Sequence, residues 1–430
     1  MRNNVSRRDF VKGAAVAAAG VASSLASPRA AGANEKIRTG FIGVANRGGQ
    51  LIKAALEHEV CEIVALCDVY KPIMEQRAEE LGGQIDKYND FRQMLERDDI
   101  DAVVIATPDH WHAIQTIMAC DAGKDVYCEK PLTMTVVEGR RMVEAARRNK
   151  AVVQVGTHRR SSELYAELHE YIKAGNIGKV TVAHCYRLSN MWPDGIGKLE
   201  SAAPPEDLDW DLWLGPRPER PYQENITPYK FRWWQRYSSQ IGNWGVHYFD
   251  LIRWMVDEQA PASISAHGGQ YAVGDDRTIP DTMEAIFEFD SGRLAVFGQY
   301  EASGHPMMPG EIDLRGTKGI VYATASGFEV IPERGGQFQS SDPRMEPLKR
   351  TDKGSNHNLT AQHMGNFFDC IKSRALPKAD VEVGHRSTTF SHLGNIALAT
   401  RSRIEWDAEN ERITNNDAAN ELLHYEYRKP

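Results

Sequence analysis

The run IRTGFIGVANRGGQLIKAALEHEVCEIVALCD, residues 37–68, decides how this chain folds. Ile37 to Val44 reads as a first strand and Cys61 to Cys67 as a second, with a helix from Gln50 to Glu57 between them. The connection Gly43-Val44-Ala45-Asn46-Arg47-Gly48 is a Gly-x-Ala-x-x-Gly turn, and the second strand ends at Asp68. Strand, glycine turn, helix and acid-terminated strand within about thirty residues form a dinucleotide-binding pattern. Asp68 follows Gly48 by about 20 residues, the spacing of an acid that accepts hydrogen bonds from a ribose. The turn lets backbone N–H groups approach a pyrophosphate at a helix N-terminus. Ala45 stands where a second glycine is usual, and its methyl group narrows that approach without closing it.

The alternation continues outward from this run. Tyr88-Asn89-Asp90-Phe91 leads a helix to Arg97, and Ala102 to Ala106 is a buried strand followed by Thr107-Pro108-Asp109-His110-Trp111-His112. After a helix from Ala113 to Ala122, Val126-Tyr127-Cys128 is a short strand ending in Glu129-Lys130-Pro131. Val137 to Asn149 is a helix and Ala151 to Gly156 a further strand. Strands interleaved with helices at this spacing predict a doubly wound parallel sheet. In such a sheet ligands bind beyond the carboxyl ends of the strands. Thr107, Glu129 and Gln154 then share one rim with the glycine turn. A lysine on that rim can hold a substrate oxygen, or lose its proton easily when desolvated. Taken alone, Glu129-Lys130-Pro131 reads more readily as a surface ion pair before a proline turn.

Beyond Gly156 the pattern changes. Ser161 to Ala174 is a helix and Lys179 to Leu188 a long alternating strand. A tryptophan-rich stretch from Met191 to Trp234 follows, then a helix that begins near His247. Ala262 to Ala272, Thr282 to Phe289, Arg293 to Ala302 and Glu311 to Leu314 alternate as strands, with a hairpin turn at Ser291-Gly292. Long antiparallel strands after a parallel half predict an α+β domain with one open sheet. We place a first domain at 36–157 and a second at 158–430, with terminal helices over Leu359–Ser373 and Gly384–Arg403 packed on the sheet edge or the first domain. Trp192, Trp233 and Trp234 lie in loop-like sequence and are candidates for stacking on a sugar ring, although core packing is the default for tryptophan. Arg159 could hold substrate hydroxyls or a cofactor carboxamide, or simply lie on the surface. Gly335 to Asn356 is polar and suggests no role.

The chain has 430 residues, a net charge of -8, 41% hydrophobic and 26% charged residues. These values fit a soluble globular protein and argue against general nucleic-acid binding. Ser6-Arg7-Arg8-Asp9-Phe10-Val11-Lys12 precedes an alanine-rich run and a small-residue site at Ala31-Gly32-Ala33, so residues 1–33 read as a twin-arginine export signal. The run is too short and too alanine-rich for a stable membrane span. Export machinery is therefore an expected partner and the periplasm the expected location. Six cysteines show no disulfide framework, and no Cys/His cluster has metal-ligand spacing.

Together the Gly43–Gly48 turn, Asp68, Thr107-Pro108 with His112, Glu129-Lys130-Pro131 and Gly156-x-His158-Arg159-Arg160 make the chain resemble the Gfo/Idh/MocA family (glucose-fructose oxidoreductase, inositol dehydrogenase). The resemblance covers nearly all of the mature chain and implies a nicotinamide dinucleotide cofactor. It places Gly43, Ala45, Asn46, Arg47, Gly48, Asp68, Thr107, Pro108, His112, Glu129, Lys130 and Gln154 around that cofactor. It also implies a carbohydrate substrate and a homo-oligomer, and it makes Lys130 and His247 catalytic. In the family an aspartate lies four residues before the histidine. Here Asn243 occupies that position and cannot accept a proton. The expected roles are His247 taking the hydroxyl proton while Lys130 holds the oxygen. Asp68 favours NAD, while Arg47 keeps NADP open. Relatives also suggest a glycoside hydrolase that works by transient oxidation. A sugar-binding protein that keeps the cofactor as structure is the remaining alternative.

Overall fold

A computed structural model describes residues 36–305, 310–352, 354 and 358–429. The expected export signal lies outside these residues. The first half alternates β1 (Ile37–Ile42), α1 (Asn46–Leu56), β2 (Cys61–Cys67), α2 (Lys71–Glu80), β3 (Asp86–Tyr88), α3 (Phe91–Leu95), β4 (Ala102–Ile105), α4 (His112–Asp121), β5 (Asp125–Cys128), α5 (Val136–Asn149) and β6 (Val153–Val155). Its six strands are parallel, in the order β3-β2-β1-β4-β5-β6. The order reverses between β1 and β4, and the crevice of a doubly wound sheet opens at that switch point. β1 ends at Ile42, two residues before the expected Val44, because Gly43 turns the chain at φ +79.

Period-two side chains divide this sheet into two apolar layers. Val103, Ile105, Val126 and Cys128 pack with residues of α3, α4 and α5 on one face. Phe41, Leu66, Val104 and Tyr127 pack on the other with α1 and α2. That second layer is completed from far along the sequence. Ala361, Met364, Phe367 and Phe368 of a helix over Leu359–Ser373 lie in it. The sequence places terminal helices against the sheet edge or the first domain; this one lies against the first sheet, in the layer of α1 and α2.

The second half adds α6 (Glu163–Lys173), β7 (Val180–Leu188), α7 (Trp210–Leu214), α8 (Val246–Val256), β8 (Ser263–Gly269), β9 (Thr282–Phe289), β10 (Arg293–Tyr300), β11 (Ile312–Gly316), β12 (Gly319–Thr324), β13 (Gly327–Pro332) and β14 (Leu348–Thr351). The chain closes with α9 (Leu359–Ser373), α10 (Val381–Thr400), β15 (Ile404–Asp407), β16 (Arg412–Ile413) and α11 (Asp417–Glu421). These strands form one ten-stranded open sheet, β14-β13-β12-β11-β7-β10-β9-β8-β15-β16. Only β7 and β10 pair in parallel; the other neighbours are antiparallel. α6, α8 and α10 cover one face, where Phe249, Phe287, Phe297 and Phe390 are buried together. Ile286, Leu294 and Ile331 are exposed on the other. Part of the polar 335–356 stretch, to which the sequence suggested no role, is the edge strand β14.

The tryptophan-rich stretch between β7 and α8 builds a small core of its own. Trp213, Trp233, Trp234, Phe231 and Tyr237 pack in it with Val69 of the first half against its edge. Backbone bonds from Lys71 N–H to Asp207 and from Asp209 N–H to Val69 clamp this insert to the end of β2. The insert and the π-helical turn Ile241–Gly245 thus stand over the carboxyl rim of the parallel sheet.

Candidate active site

The glycine turn is shaped by two close approaches. A Cβ at Gly43 would meet Thr107 N at 2.7 Å, and one at Gly48 would meet Gly43 O at 2.0 Å. Any side chain at either position would therefore push the turn away from the strands. α1 begins at Asn46 with Ala45 as its N-cap, no capping side chain and no acid in its first turn. Its first N–H groups are left for an outside acceptor, and the helix dipole favours an anion there. Asp68 accepts hydrogen bonds from Val44 N–H (2.9 Å) and Tyr70 N–H (3.0 Å), which fixes its carboxylate beside the turn. Burial raises its pKa against the pull of those N–H groups. The Asn46 amide oxygen accepts from Gln50.

The rim residues divide into those that face the crevice and those that brace it. Glu129 is 3% exposed and accepts from Arg47 Nε at 2.7 Å and from Lys130 N–H at 3.1 Å. Burial works to raise its pKa, but the Arg47 and Lys130 charges outweigh it and the carboxyl lies below its ordinary range. Arg47 is thereby tied to Glu129 and, more loosely, to Gln50 and Thr360. The Thr107 hydroxyl donates to Gln115, and Pro108 leads into the short helical turn Asp109–Trp111. His112 is buried with Nδ1 at 2.7 Å from Pro131 O and Nε2 at 2.9 Å from Thr107 O. Both partners are acceptors, so the ring is best satisfied as an imidazolium. Burial opposes that charge, yet the Cys128 sulfur, Asp109 and the Pro131 carbonyl push its pKa up to about 9. His112 therefore ties the β4 loop to the β5 loop and has no ring nitrogen left for a cofactor. Gln154 donates to His363 O at 2.6 Å, while its buried Oε1 has no partner.

Lys130 is the centre of the site. Its Nζ donates to Asn243 Oδ1 at 2.8 Å and to Asn243 O at 3.0 Å, which joins the β5 rim to the π-helical turn. Burial pushes its pKa down to about 8, against the charges of Glu129 and Asp109. One turn on, His247 is 5% exposed and its Nδ1 has no partner. Burial, together with the charges of Arg159 and Lys130, holds its pKa well below the ordinary value. The His158 ring meets the His247 ring edge-on at 5.3 Å and is depressed in the same way. So the site holds two neutral imidazoles beside a lysine whose titration lies near neutral pH.

Three sequence candidates for substrate contact need correction. Trp233 is 7% exposed and donates its indole N–H to Glu301; Trp234 is 6% exposed and donates to Asn225 O. Both are core residues of the insert, because their indole donors found buried acceptors there. Arg159 is locked to Glu311 through two hydrogen bonds, with Tyr165 on the same carboxylate, so its guanidinium shapes the pocket electrostatically. Trp192 is 63% exposed, on the surface. The tryptophan that does adjoin the site is Trp244, whose ring lies 6.4 Å from that of His247 and beneath the Arg187 guanidinium at 4.6 Å. Its place directly after Asn243 was the signal that could have found it. All six cysteines are free and buried.

The pattern of the Gfo/Idh/MocA oxidoreductase family, NAD-binding Rossmann fold, matches residues 37–157. That family's C-terminal alpha/beta domain matches residues 168–302 and 337–430, and a twin-arginine translocation signal sequence matches residues 4–24. Glycosyl hydrolase family 109 protein 1 of Shewanella sp. (strain MR-4) is 33% identical over 175 residues, covering 34% of this chain and 38% of its own. Inositol 2-dehydrogenase of Salmonella typhimurium is 30% identical over 150 residues, covering 34% of this chain and 45% of its own. The match thus spans less than half the length of either relative. Among solved structures, a levoglucosan dehydrogenase in complex with NADH superposes with a TM-score of 0.65 at 17% identity, over 86% of this chain and 99% of that one. At that identity the likeness speaks to the fold.

Proposed function

The chain belongs to the Gfo/Idh/MocA oxidoreductase family, and from that premise we propose that it is an NAD-dependent oxidoreductase of a sugar or polyol, acting at a secondary carbinol. The observation that carries this reading is the junction of Lys130 with Asn243 one turn before His247, on the rim where the glycine turn lies. The turn, the uncapped start of α1 and Asp68 fit a dinucleotide: pyrophosphate on the α1 N–H groups and ribose on Asp68. When bound, the nicotinamide supplies the hydride acceptor.

The electrostatics revise the roles expected from sequence. A general base works best when its pKa is near the working pH. Lys130 meets that condition at about 8, and His247 does not. Lys130 in its neutral form takes the hydroxyl proton as hydride leaves the carbon. His247 then hydrogen-bonds the same oxygen through its accessible ring edge, with His158 behind it. In reduction the Lys130 ammonium returns the proton. Asp68 would repel a 2′-phosphate, which favours NAD over NADP.

On this reading residues 36–157 hold the cofactor and residues 158–430 the substrate, with α9 crossing back to support the first sheet. The twin-arginine signal marks the chain for export. We assign it to the periplasm, where the cofactor must stay bound and be recycled. The exposed Ile286, Leu294 and Ile331 on the outer sheet face support a homo-oligomer. Similarity to family 109 hydrolases favours a second reading, in which oxidation of a ring carbon acidifies the neighbouring C–H, the aglycone leaves with that proton, water adds in its place and the carbon is reduced again. Titrating the purified exported protein with sugars and glycosides, while following reduced-cofactor absorbance and aglycone release, separates the two. A cofactor response without release supports the oxidoreductase. Release with no net response supports the hydrolase. No response to any sugar overturns both.

A further inference from the structure

Charge in the site is unevenly satisfied. Among the described residues, each carboxylate near Lys130 and His247 has a hydrogen-bonding partner. Glu129 is paired with Arg47, Glu311 with Arg159, Glu301 with Arg277, and Asp109 accepts the Ser238 hydroxyl. The cations are in excess. Lys130 Nζ rests on a neutral amide. Arg232 donates to Tyr229 O, lies over the Tyr229 and Phe231 rings, and has no carboxylate within ion-pair distance among the described residues. Its charge is nonetheless felt at Lys130.

Arg187 is the sharpest case. It stands near the carboxyl end of β7 and pairs with Gln299 of β10. By the alternation of the strand it shares a face with Ala183 and Cys185, which are buried in the layer under α8, so it points toward the helix-covered side. Its guanidinium lies over the Trp244 ring at 4.6 Å. Its Nε is buried and has no hydrogen-bond partner, and no carboxylate lies within ion-pair distance among the described residues. A guanidinium whose flat face rests on an aromatic ring leaves its N–H edge free, and that edge matches a carboxylate bidentately. An unpartnered buried donor is costly, so a ligand that satisfies it gains affinity.

We propose that the substrate carries a carboxylate, as a uronic or aldonic acid does, held at the free edge of Arg187 with its carbon skeleton against Trp244. This rests on the reading of the site as that of a sugar oxidoreductase. Asn243 fits the arrangement: a carboxylate at that position would place a like charge near the substrate's own, and an amide does not.

The test uses the mature protein with its bound nucleotide. Calorimetry measures binding of glucuronate, galacturonate and gluconate against the methyl glucuronate ester, glucose and glucose 6-phosphate, and absorbance follows the cofactor. The acids should bind at least ~10-fold more tightly than the ester or the neutral sugar, as expected for a charge-assisted bond to a buried donor. Arg187→Met should abolish that preference, and Arg187→Lys should keep part of it. Equal affinity for acid and ester in the unmodified protein overturns the proposal, whatever the variants do. So does tighter binding of the phosphate than of the acids. If neutral sugars alone change the cofactor band, the carboxylate is wrong and the oxidoreductase stands. If the acids bind through Arg187 without any cofactor response, the carboxylate stands and the oxidoreductase falls.

Discussion

Asn243→Asp is the most informative single change. It places a carboxylate where the amide oxygen now lies, 2.8 Å from Lys130 Nζ. Two unit charges at that separation attract by ~1.5 kcal/mol at a water-like dielectric and ~6 kcal/mol at an effective value near 20. One pKa unit corresponds to ~1.4 kcal/mol, so the shift is ~1 unit at the low end and ~4 at the high end. Lys130 is half-buried, which argues for the lower part of that range. The sign is fixed: a carboxylate favours the ammonium, so the Lys130 pKa rises from about 8. Neutral Lys130 then forms only at higher pH, and the rising limb of sugar oxidation moves upward by ~1–2 units. Single-turnover reduction of the bound cofactor between mildly acidic and strongly alkaline pH reads the limb. Competitive labelling of Lys130, followed by mass spectrometry, reads its pKa without a substrate. A wild-type limb in the acid range would identify His247 as the base, since its pKa lies well below the ordinary value. An unmoved limb in Asn243→Asp would refute the assignment to Lys130.

Other consequences are as specific. Lys130→Met should lower turnover by ~10²–10⁴-fold, the range of a general acid or base; His247→Ala, which removes a hydrogen bond to the reacting oxygen, should lower it by ~10²–10³-fold and still retain nucleotide on extraction. Asp68→Ala should weaken NAD binding and relax discrimination against NADP, measured by titration of the nucleotide-stripped protein; an unmodified protein that strongly prefers NADP would contradict this. Phe367→Ala should destabilise the fold by ~3–5 kcal/mol in denaturant unfolding, because that ring is fully buried in the first sheet's layer. Replacing Arg7 and Arg8 with lysine should hold the precursor in the cytoplasm, and undiminished export would remove the case for a twin-arginine route.

The first sheet was legible because its evidence is local. Buried strands, a glycine turn and an acid at fixed spacing all lie within short windows, and β2 falls on its expected boundaries, as does β9 of the second sheet. What the sequence concealed depends on distant contacts. The helix over Leu359–Ser373 and its packing on a sheet are expected, but which layer Phe367 fills, beside Phe41 and Tyr127, appears only in the fold. β12, β13, β15 and β16 are short and have no counterpart among the expected strands, and their pairing appears only in the assembled sheet. Family position pointed to Lys130, Asn243 and His247, and the fold brings Lys130 onto Asn243 one turn before His247. Trp233 and Trp234 were misjudged because loop-like sequence does not reveal buried acceptors such as Glu301 and the Asn225 carbonyl. Arg187 looks like one more polar residue in an alternating strand. That its buried Nε has no hydrogen-bond partner is a fact of three dimensions.

The central claim is that a sugar carbon gives up its hydride inside this protein with Lys130 taking the proton. The most direct measurement supplies carbon-deuterated sugars, uronates among them, to the purified protein, then extracts its nucleotide for mass spectrometry. The account predicts NAD that has become the deuterated reduced form in the unmodified protein and stays unlabelled in Lys130→Met. Bound sugar with no nucleotide, or with nucleotide that never acquires deuterium, would contradict it.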